Sequence, residues 1–302
     1  MQRYRRCLVA NPIGNVDRIP LPIPPFSLPQ VPGPIGIFDS GYGGLTILNG
    51  IRQLLPEYDY LYLGDNARTP YGTRSFEVVY KFTRQAVMRL FEMGCHLVIL
   101  GCNTASAKAL RTIQQNDLPV LDPERRVLGV IRPTAEIIGT LTRSRHVGIF
   151  ATEGTIRSNS YSLEIQKLHP DIHVTGVACP FWVPLVEYNE ANSPGADYFV
   201  QKNIEQLLCL DPLIDTVILG CTHYPLLLPK IRQYIPRDIR IVAQGEYVAE
   251  STKHYFERHP DIEKRCTKGG TVHYLTTENP DKFREQAQLF LHETVHVEQI
   301  TL

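Results

Sequence analysis

The chain reads as α/β, with two similar halves that each carry a mainly parallel sheet. Three observations predict this. From Ile35 onward, short apolar runs alternate with helical segments, as expected of strands joined by crossover helices. The run Val98-Ile99-Leu100-Gly101-Cys102 returns as Val217-Ile218-Leu219-Gly220-Cys221. An earlier run returns in the same order, Gly36-Ile37-Phe38-Asp39-Ser40 being echoed by Gly148-Ile149-Phe150-Ala151-Thr152. One such match is cheap, because buried parallel strands all draw on Val, Ile and Leu. Two in register, both ending in a small polar or thiol residue, indicate a duplicated unit with an approximate two-fold axis.

The first 34 residues are rich in proline, which supplies neither backbone donors nor periodicity for a packed element. They read as a disordered extension, without the unbroken apolar stretch of a signal peptide. Strands are expected at Ile35–Phe38, Tyr60–Leu63, Leu97–Leu100, Val147–Phe150, Val174–Ala178, Val217–Leu219 and Ile239–Val242. The clearest helix follows Ser75, a candidate N-cap. Phe76, Val79, Thr83, Ala86, Val87, Leu90 and Phe91 recur every three or four residues, and Gly94 offers a stop. Only Thr83 breaks that apolar face.

Composition narrows the function. The 302 residues suffice for two ordinary domains or one large one. Lys+Arg and Asp+Glu both number 31, and zero net charge argues against nucleic acid as the main partner. No apolar run approaches the ~18 residues that cross a bilayer. The seven cysteines, Cys7, Cys95, Cys102, Cys179, Cys209, Cys221 and Cys266, are scattered without a CxxC pair. Such a set reads as reduced thiols in a cytoplasmic protein.

Two of those thiols are set apart by the echo. In open α/β sheets functional groups gather beyond the carboxyl ends of the strands, and Cys102 and Cys221 sit there, one per half. If the halves face each other, the thiols enter one cleft from opposite sides. Inverting a stereocentre beside a carboxylate needs a base on one face and an acid on the other. Cysteine suits both roles, since neighbours and helix starts can lower its free pKa of ~8.5. Asn103-Thr104-Ala105-Ser106 reads as a helix start behind Cys102, and Thr222-His223-Tyr224-Pro225 follows Cys221. The alternative is that both cysteines are small packing residues, the commoner role for any single one. His223 beside one thiol and Asp39 at the end of an echoed strand can assist proton movement; Asp39 can equally cap the helix ahead of Leu45. Gly41-Tyr42-Gly43-Gly44 permits close backbone approach to an anion, yet it lacks the spacing of nucleotide-binding glycine motifs. Ser40, Asn103, Thr104 and Thr222 add uncharged donors, which suits a dianionic amino acid held without an arginine clamp.

At these residues the chain resembles the glutamate racemase family, within the cofactor-independent aspartate/glutamate racemase superfamily. The resemblance runs from Pro34 to about His259. Its pieces are Ile35–Gly44 (IGIFDSGYGG), Gly64–Gly72 (GDNARTPYG), Leu100–Ala105 (LGCNTA), Ala151–Tyr161 (ATEGTIRSNSY), Cys179–Glu187 (CPFWVPLVE) and Leu219–Pro225 (LGCTHYP). It implies two pseudo-symmetric three-layer α/β domains with mainly parallel sheets and the active site in the cleft between them. Here these would be 35–131 plus about 243–302, and 132–242, with the residues after about 260 packing back on the first. It further implies that Cys102 works on the D-glutamate side with Asp39, and Cys221 on the L-glutamate side with His223 and Glu187. Asp39, Ser40, Tyr71, Gly72, Asn103, Thr104 and Thr222 would contact the substrate. Read alone, Tyr71-Gly72 is a turn after Pro70, and Glu187 is an ordinary helix carboxylate.

The resemblance implies no cofactor and no metal, glutamate as the small-molecule partner, and a supply of D-glutamate for peptidoglycan. It leaves room for a homodimer and for regulation by a cell-wall precursor. Leu118–Thr134 is longer than the usual loop ahead of the second domain, with Arg132-Pro133-Thr134 where the family more often has Pro-Gly-Ala. This alters the hinge and any regulator pocket there, not the proton chemistry. Four rival readings remain at this point. They are an aspartate or other amino-acid racemase, a cysteine hydrolase or amidase using Cys102 and His223, a non-catalytic carboxylate-binding module, and a zinc site of Cys102, Cys221 and His223 that lacks a fourth ligand.

Overall fold

A computed structural model describes residues 28–302, so most of the proline-rich extension lies outside the described residues. The part that is described is docked rather than disordered. Gly33 donates to the Arg265 carbonyl (3.0 Å) and accepts from the Thr267 amide (2.9 Å), forming an isolated parallel bridge with Cys266. The fully buried Arg125 guanidinium reaches the Pro29 carbonyl, and a ring nitrogen of His96 lies 2.9 Å from that of Val31. The expectation of disorder is therefore corrected for residues 28–34. Prolines lack amide donors, but their carbonyls and those of their neighbours still pair with buried polar side chains.

Each strand is fully parallel to its neighbours. β1 (Ile35–Asp39), β2 (Tyr60–Gly64), β3 (Leu97–Leu100) and β4 (Arg126–Gly129) join β9 (Val272–Thr276) and β10 (Val297–Gln299) in one sheet, ordered β10-β9-β2-β1-β3-β4. β5 (His146–Ala151), β6 (His173–Ala178), β7 (Thr216–Gly220) and β8 (Arg240–Val242) form the other, ordered β6-β5-β7-β8. The strand order β2-β1-β3-β4 is thus repeated as β6-β5-β7-β8. Even the register is the same: Gly36, Ile37 and Phe38 face Val98, Ile99 and Leu100, while Gly148, Ile149 and Phe150 face Val217, Ile218 and Leu219. The sequence echo is a structural one.

Three strands escaped the sequence reading. β4 lies inside the segment expected to be a longer loop, which instead makes a short helix (Leu118–Leu121), the edge strand, and the start of the helix Ile131–Leu141. A cavity of about 380 Å³ opens beside it, between Leu118, Arg126, Val127 and Tyr255. β9 and β10 extend the first sheet on its other edge, and the helix Pro280–Leu291 between them packs on the helix Leu45–Leu54. The helix after Ser75 runs Phe76–Glu92, with the Ser75 hydroxyl accepting from the Val78 amide at 3.3 Å. Gly94, at φ 95°, closes it: its amide bonds the Phe91 carbonyl, and that of Cys95 bonds the Leu90 carbonyl, the paired pattern of a left-handed helix stop. Among the described residues no helix is long and apolar enough to cross a membrane.

Candidate active site

Both sulfurs stand one residue beyond a glycine that ends its strand run, because β3 and β7 are buried apolar runs broken by Gly101 and Gly220. Cys102 and Cys221 are each 6% exposed, so charge on either sulfur is governed by protein groups rather than by water. Their surroundings differ.

Cys102 is the N-cap of the helix Asn103–Lys108, its Sγ accepting from the Ala105 amide at 3.4 Å. The Ser40 hydroxyl lies 3.3 Å from the same sulfur. Burial and the nearby Asp39 carboxylate push this thiol up to about 12, against the opposing effect of those two hydrogen bonds. Asp39 is itself fully buried. Its Oδ1 accepts from the Gly41 amide at 2.8 Å, while Oδ2 has no hydrogen-bond partner among the described residues. Burial raises its carboxyl above the usual range, and the charge of His223 partly opposes that rise.

Cys221 opens the turn that leads into the 3₁₀ segment Tyr224–Leu227. Nδ1 of His223 lies 3.9 Å from its Sγ, and Nε2 lies 2.9 Å from Oε1 of Glu187, the last residue of the helix Trp182–Glu187. Burial opposes charge on this imidazole. The hydrogen bonds and charges of Cys221 and Glu187 outweigh it and raise His223 to about 10. The geometry is therefore carboxylate, imidazolium, sulfur. Phe290, from the helix Pro280–Leu291, meets the His223 ring edge-on at 5.4 Å, and Gln286 on that helix donates to the Glu187 carbonyl at 3.0 Å.

The two sulfur environments share one site. The charge of Cys221 acts on Cys102, and those of His223 and Glu187 act on Asp39. The glycine turn lies between them. A Cβ on Gly43 would fall 2.2 Å from the Thr222 hydroxyl and 2.4 Å from Nδ1 of His223, so only glycine lets this turn lie against the second half. Thr46 adds a hydrogen bond to the Thr222 carbonyl (3.1 Å).

The remaining expected contacts are arranged less simply. Thr104 enters a triangle of hydroxyls with Thr152 (2.9 Å) and Thr155 (3.4 Å) across the seam. Gly72 presses against Thr152 and accepts from the Gly154 amide at 2.8 Å. The Tyr71 hydroxyl is committed to the buried Asp65 carboxylate, which also holds Arg68 (2.7 Å) and Thr277 (2.9 Å). The Asn103 amide is held by Gln244 and Tyr161. Sequence reasoning passed over Asp65, Gln244 and Thr155. Thr152 stood in the echo, but nothing in its identity marked it as a partner of Thr104.

Comparison with known proteins supplies the lineage. The Asp/Glu/Hydantoin racemase family pattern matches residues 45–252. The glutamate racemase of Ruegeria sp. (strain TM1040) is 38% identical over 274 residues, covering 87% of this chain and 98% of that one. The chain belongs to the Asp/Glu/Hydantoin racemase family. Solved members have the same fold. The Francisella tularensis glutamate racemase, in complex with D-glutamate, superposes with a TM-score of 0.79 at 30% identity, covering 89% of this chain and 97% of that one. The Escherichia coli glutamate racemase, in complex with L-glutamate and the activator UDP-MurNAc-ala, gives 0.71 at 27% identity, with 89% and 98% covered. The protein is accordingly an isomerase of the racemase kind, and its family's two-domain α/β architecture accounts for the two matched sheets.

Proposed function

We propose that the protein interconverts L- and D-glutamate by a two-thiol proton transfer and supplies D-glutamate for peptidoglycan synthesis in the cytoplasm. The observation that carries this is the pair of sulfurs at register-equivalent strand ends, each with its own proton-handling partner. With Cys102 as the thiol and Cys221 as the thiolate beside imidazolium His223, Cys221 takes the α-proton of L-glutamate. Cys102 then delivers its proton to the opposite face, giving D-glutamate. The reverse reaction exchanges the roles. Glu187 holds His223 charged and oriented, Asp39 and Ser40 attend Cys102, and no cofactor enters any step. Ser40, Tyr71, Gly72, Asn103, Thr104 and Thr222 are proposed to line the substrate's place. Glutamate is favoured as substrate by the names of the relatives and by the two relatives crystallised with its enantiomers. Regulation by a cell-wall precursor belongs to the same proposal, since the E. coli relative is complexed with such an activator.

The test uses the purified chain in deuterated water without pyridoxal phosphate or metal, offering each enantiomer of glutamate and of aspartate. Optical rotation of both glutamate enantiomers should decay to zero with deuterium entering at the α-carbon, and aspartate should be left largely unchanged. Ammonia release without inversion would point to a hydrolase and overturn the proposal, as would full racemisation in Cys102→Ser and Cys221→Ser variants.

A further inference from the structure

The Asn103 side chain follows directly on Cys102, and its amide is oriented by a buried relay that begins at a backbone carbonyl. Nε2 of Gln244 lies 3.0 Å from the Val130 carbonyl, 3.1 Å from Oγ1 of Thr134 and 2.7 Å from the Tyr161 hydroxyl. Oε1 of Gln244 accepts from Nδ2 of Asn103 at 2.7 Å, and the Tyr161 hydroxyl donates to Oδ1 of Asn103 at 2.6 Å. All five residues are buried.

The directions in this relay are forced. A backbone carbonyl can only accept, so Gln244 must turn its NH2 toward Val130 and its oxygen toward Asn103. Asn103 must answer with an N–H. Tyr161, accepting from Gln244, gives its own proton to Oδ1 of Asn103. The reverse setting of either amide would put two acceptors against each other in a buried place, at a cost no single bond recovers. Among the described residues Asn103 is left with one uncommitted N–H and a fixed polarity.

The relay also spans the molecule. Val130 and Thr134 lie on the chain's first passage between the sheets, after β4, and Gln244 lies on its second, after β8. Asn103 belongs to the helix behind β3, and Tyr161 to the helix Ser160–Leu168 of the second half.

We infer that Gln244 and Tyr161 are positioning residues, which act through Asn103 to keep an N–H donor aimed at a carboxylate of the substrate beside Cys102. The inference rests on the racemase reading. An inverted Asn103 amide would face that carboxylate with its oxygen and repel it, so the relay sets the polarity of the site from both crossings of the chain.

A double-mutant cycle on the full-length protein tests this. Tyr161→Phe removes one hydroxyl from a buried ring and keeps its shape, and it should raise KM for both glutamate enantiomers about tenfold, the size of one hydrogen bond. Gln244→Leu should raise KM further, and Asn103→Ala should include the whole effect. On the Asn103→Ala background, adding Tyr161→Phe or Gln244→Leu should change kcat/KM by less than about twofold, because residues acting through one group do not add. Effects that multiply in full on that background would overturn the inference and leave the racemase reading standing, as would an unchanged KM in Tyr161→Phe. A wild-type protein that inverts neither enantiomer would overturn the racemase reading and this inference with it.

Discussion

At Cys102 the polar neighbours are a serine hydroxyl at 3.3 Å and a fully buried carboxyl group. At Cys221 the neighbour is an imidazole at 3.9 Å, itself paired to a carboxylate at 2.9 Å. The strands that deliver the two sulfurs match residue for residue, so duplication alone would have made the two sites alike. The difference was made where the strands end. Asp39, the last residue of β1, places negative charge near Cys102, which keeps the proton on that sulfur, whereas the turn after Cys221 sets the imidazole of His223 beside the second sulfur. A two-base reaction needs one thiol and one thiolate at a time, in either order, since each direction starts with a different sulfur as the base. What the comparison teaches is that the fold supplies the symmetry and a handful of residues at the ends of its strands and helices supplies the polarity.

The largest expected effect comes from removing the sulfurs one at a time. Cys102→Ser and Cys221→Ser should each lower racemisation by at least about 10³-fold, the scale of a lost general acid or base. They should differ in what remains. Cys102→Ser keeps Cys221 and should still wash the α-hydrogen of L-glutamate into deuterated water, while Cys221→Ser should do so only from D-glutamate. Equal exchange from both enantiomers in either variant would erase the distinction between the two sides.

A smaller effect is expected from Glu187→Gln, which leaves His223 in place and removes its charged partner. kcat should fall about 10–100-fold, less than for loss of a thiol because the imidazole itself stays in place, and the alkaline limb of its pH profile, expected near 10 for the wild type, should move down. Stability carries the same signature. His223 is raised from 6.5 to about 10 in the folded protein, so its contribution is complete below about pH 6.5 and is lost as pH rises through 10. The gap in thermal midpoint between wild type and Glu187→Gln should therefore be widest in mild acid and close toward pH 10.

The smallest effect has opposite signs in the two assays. Asp39 is raised above its ordinary 3.8 by burial, so its folded-state contribution is greatest in acid and declines as pH rises through the folded value. Near neutrality Asp39→Asn should lift stability by about 1 kcal/mol while lowering kcat/KM, because a carboxyl with a partnerless oxygen costs more to bury than an amide does. Urea unfolding at pH 7 and steady-state kinetics on one preparation check both signs. A variant that is both less stable and less active would give Asp39 a structural role through its bond to the Gly41 amide; it does not cap the helix Leu45–Leu54, whose N-cap Gly44 takes no side-chain bond.

Much of this was legible in the chain. The central strands of both sheets are short buried apolar runs, and the echo aligned β1 with β5 and β3 with β7. β4 was hidden because Arg126-Val127-Leu128-Gly129 is a four-residue edge strand behind a charged, proline-bearing turn. The short β10, Val297-Glu298-Gln299, has two exposed residues and no apolar run to announce it. At the site, Cys102, Cys221, Asp39 and His223 could be named from position in the echo. The bond from His223 to Glu187 could not, because it joins two segments whose approach depends on how the helix Trp182–Glu187 packs beneath the turn. Gln244 was equally silent. Its four partners come from three separate stretches of chain, and local patterning carries no information about such a convergence.

The chain crosses between the sheets twice, and that has a mechanical meaning. Two covalent tethers, one at Val130–Ile131 and one at Ala243–Gln244, act as the two pins of a door: they forbid sliding and twisting and leave one easy swing. What must yield for the door to open is the row of latches at the seam, which includes the Thr104–Thr152 hydroxyl contact and the bonds from the Gly154 amide to the Gly72 carbonyl, from Thr46 to the Thr222 carbonyl and from Gln286 to the Glu187 carbonyl. Each is exchanged for water at roughly 1 kcal/mol, so the two pins, more than the seam bonds, carry the burden of keeping the two halves in register.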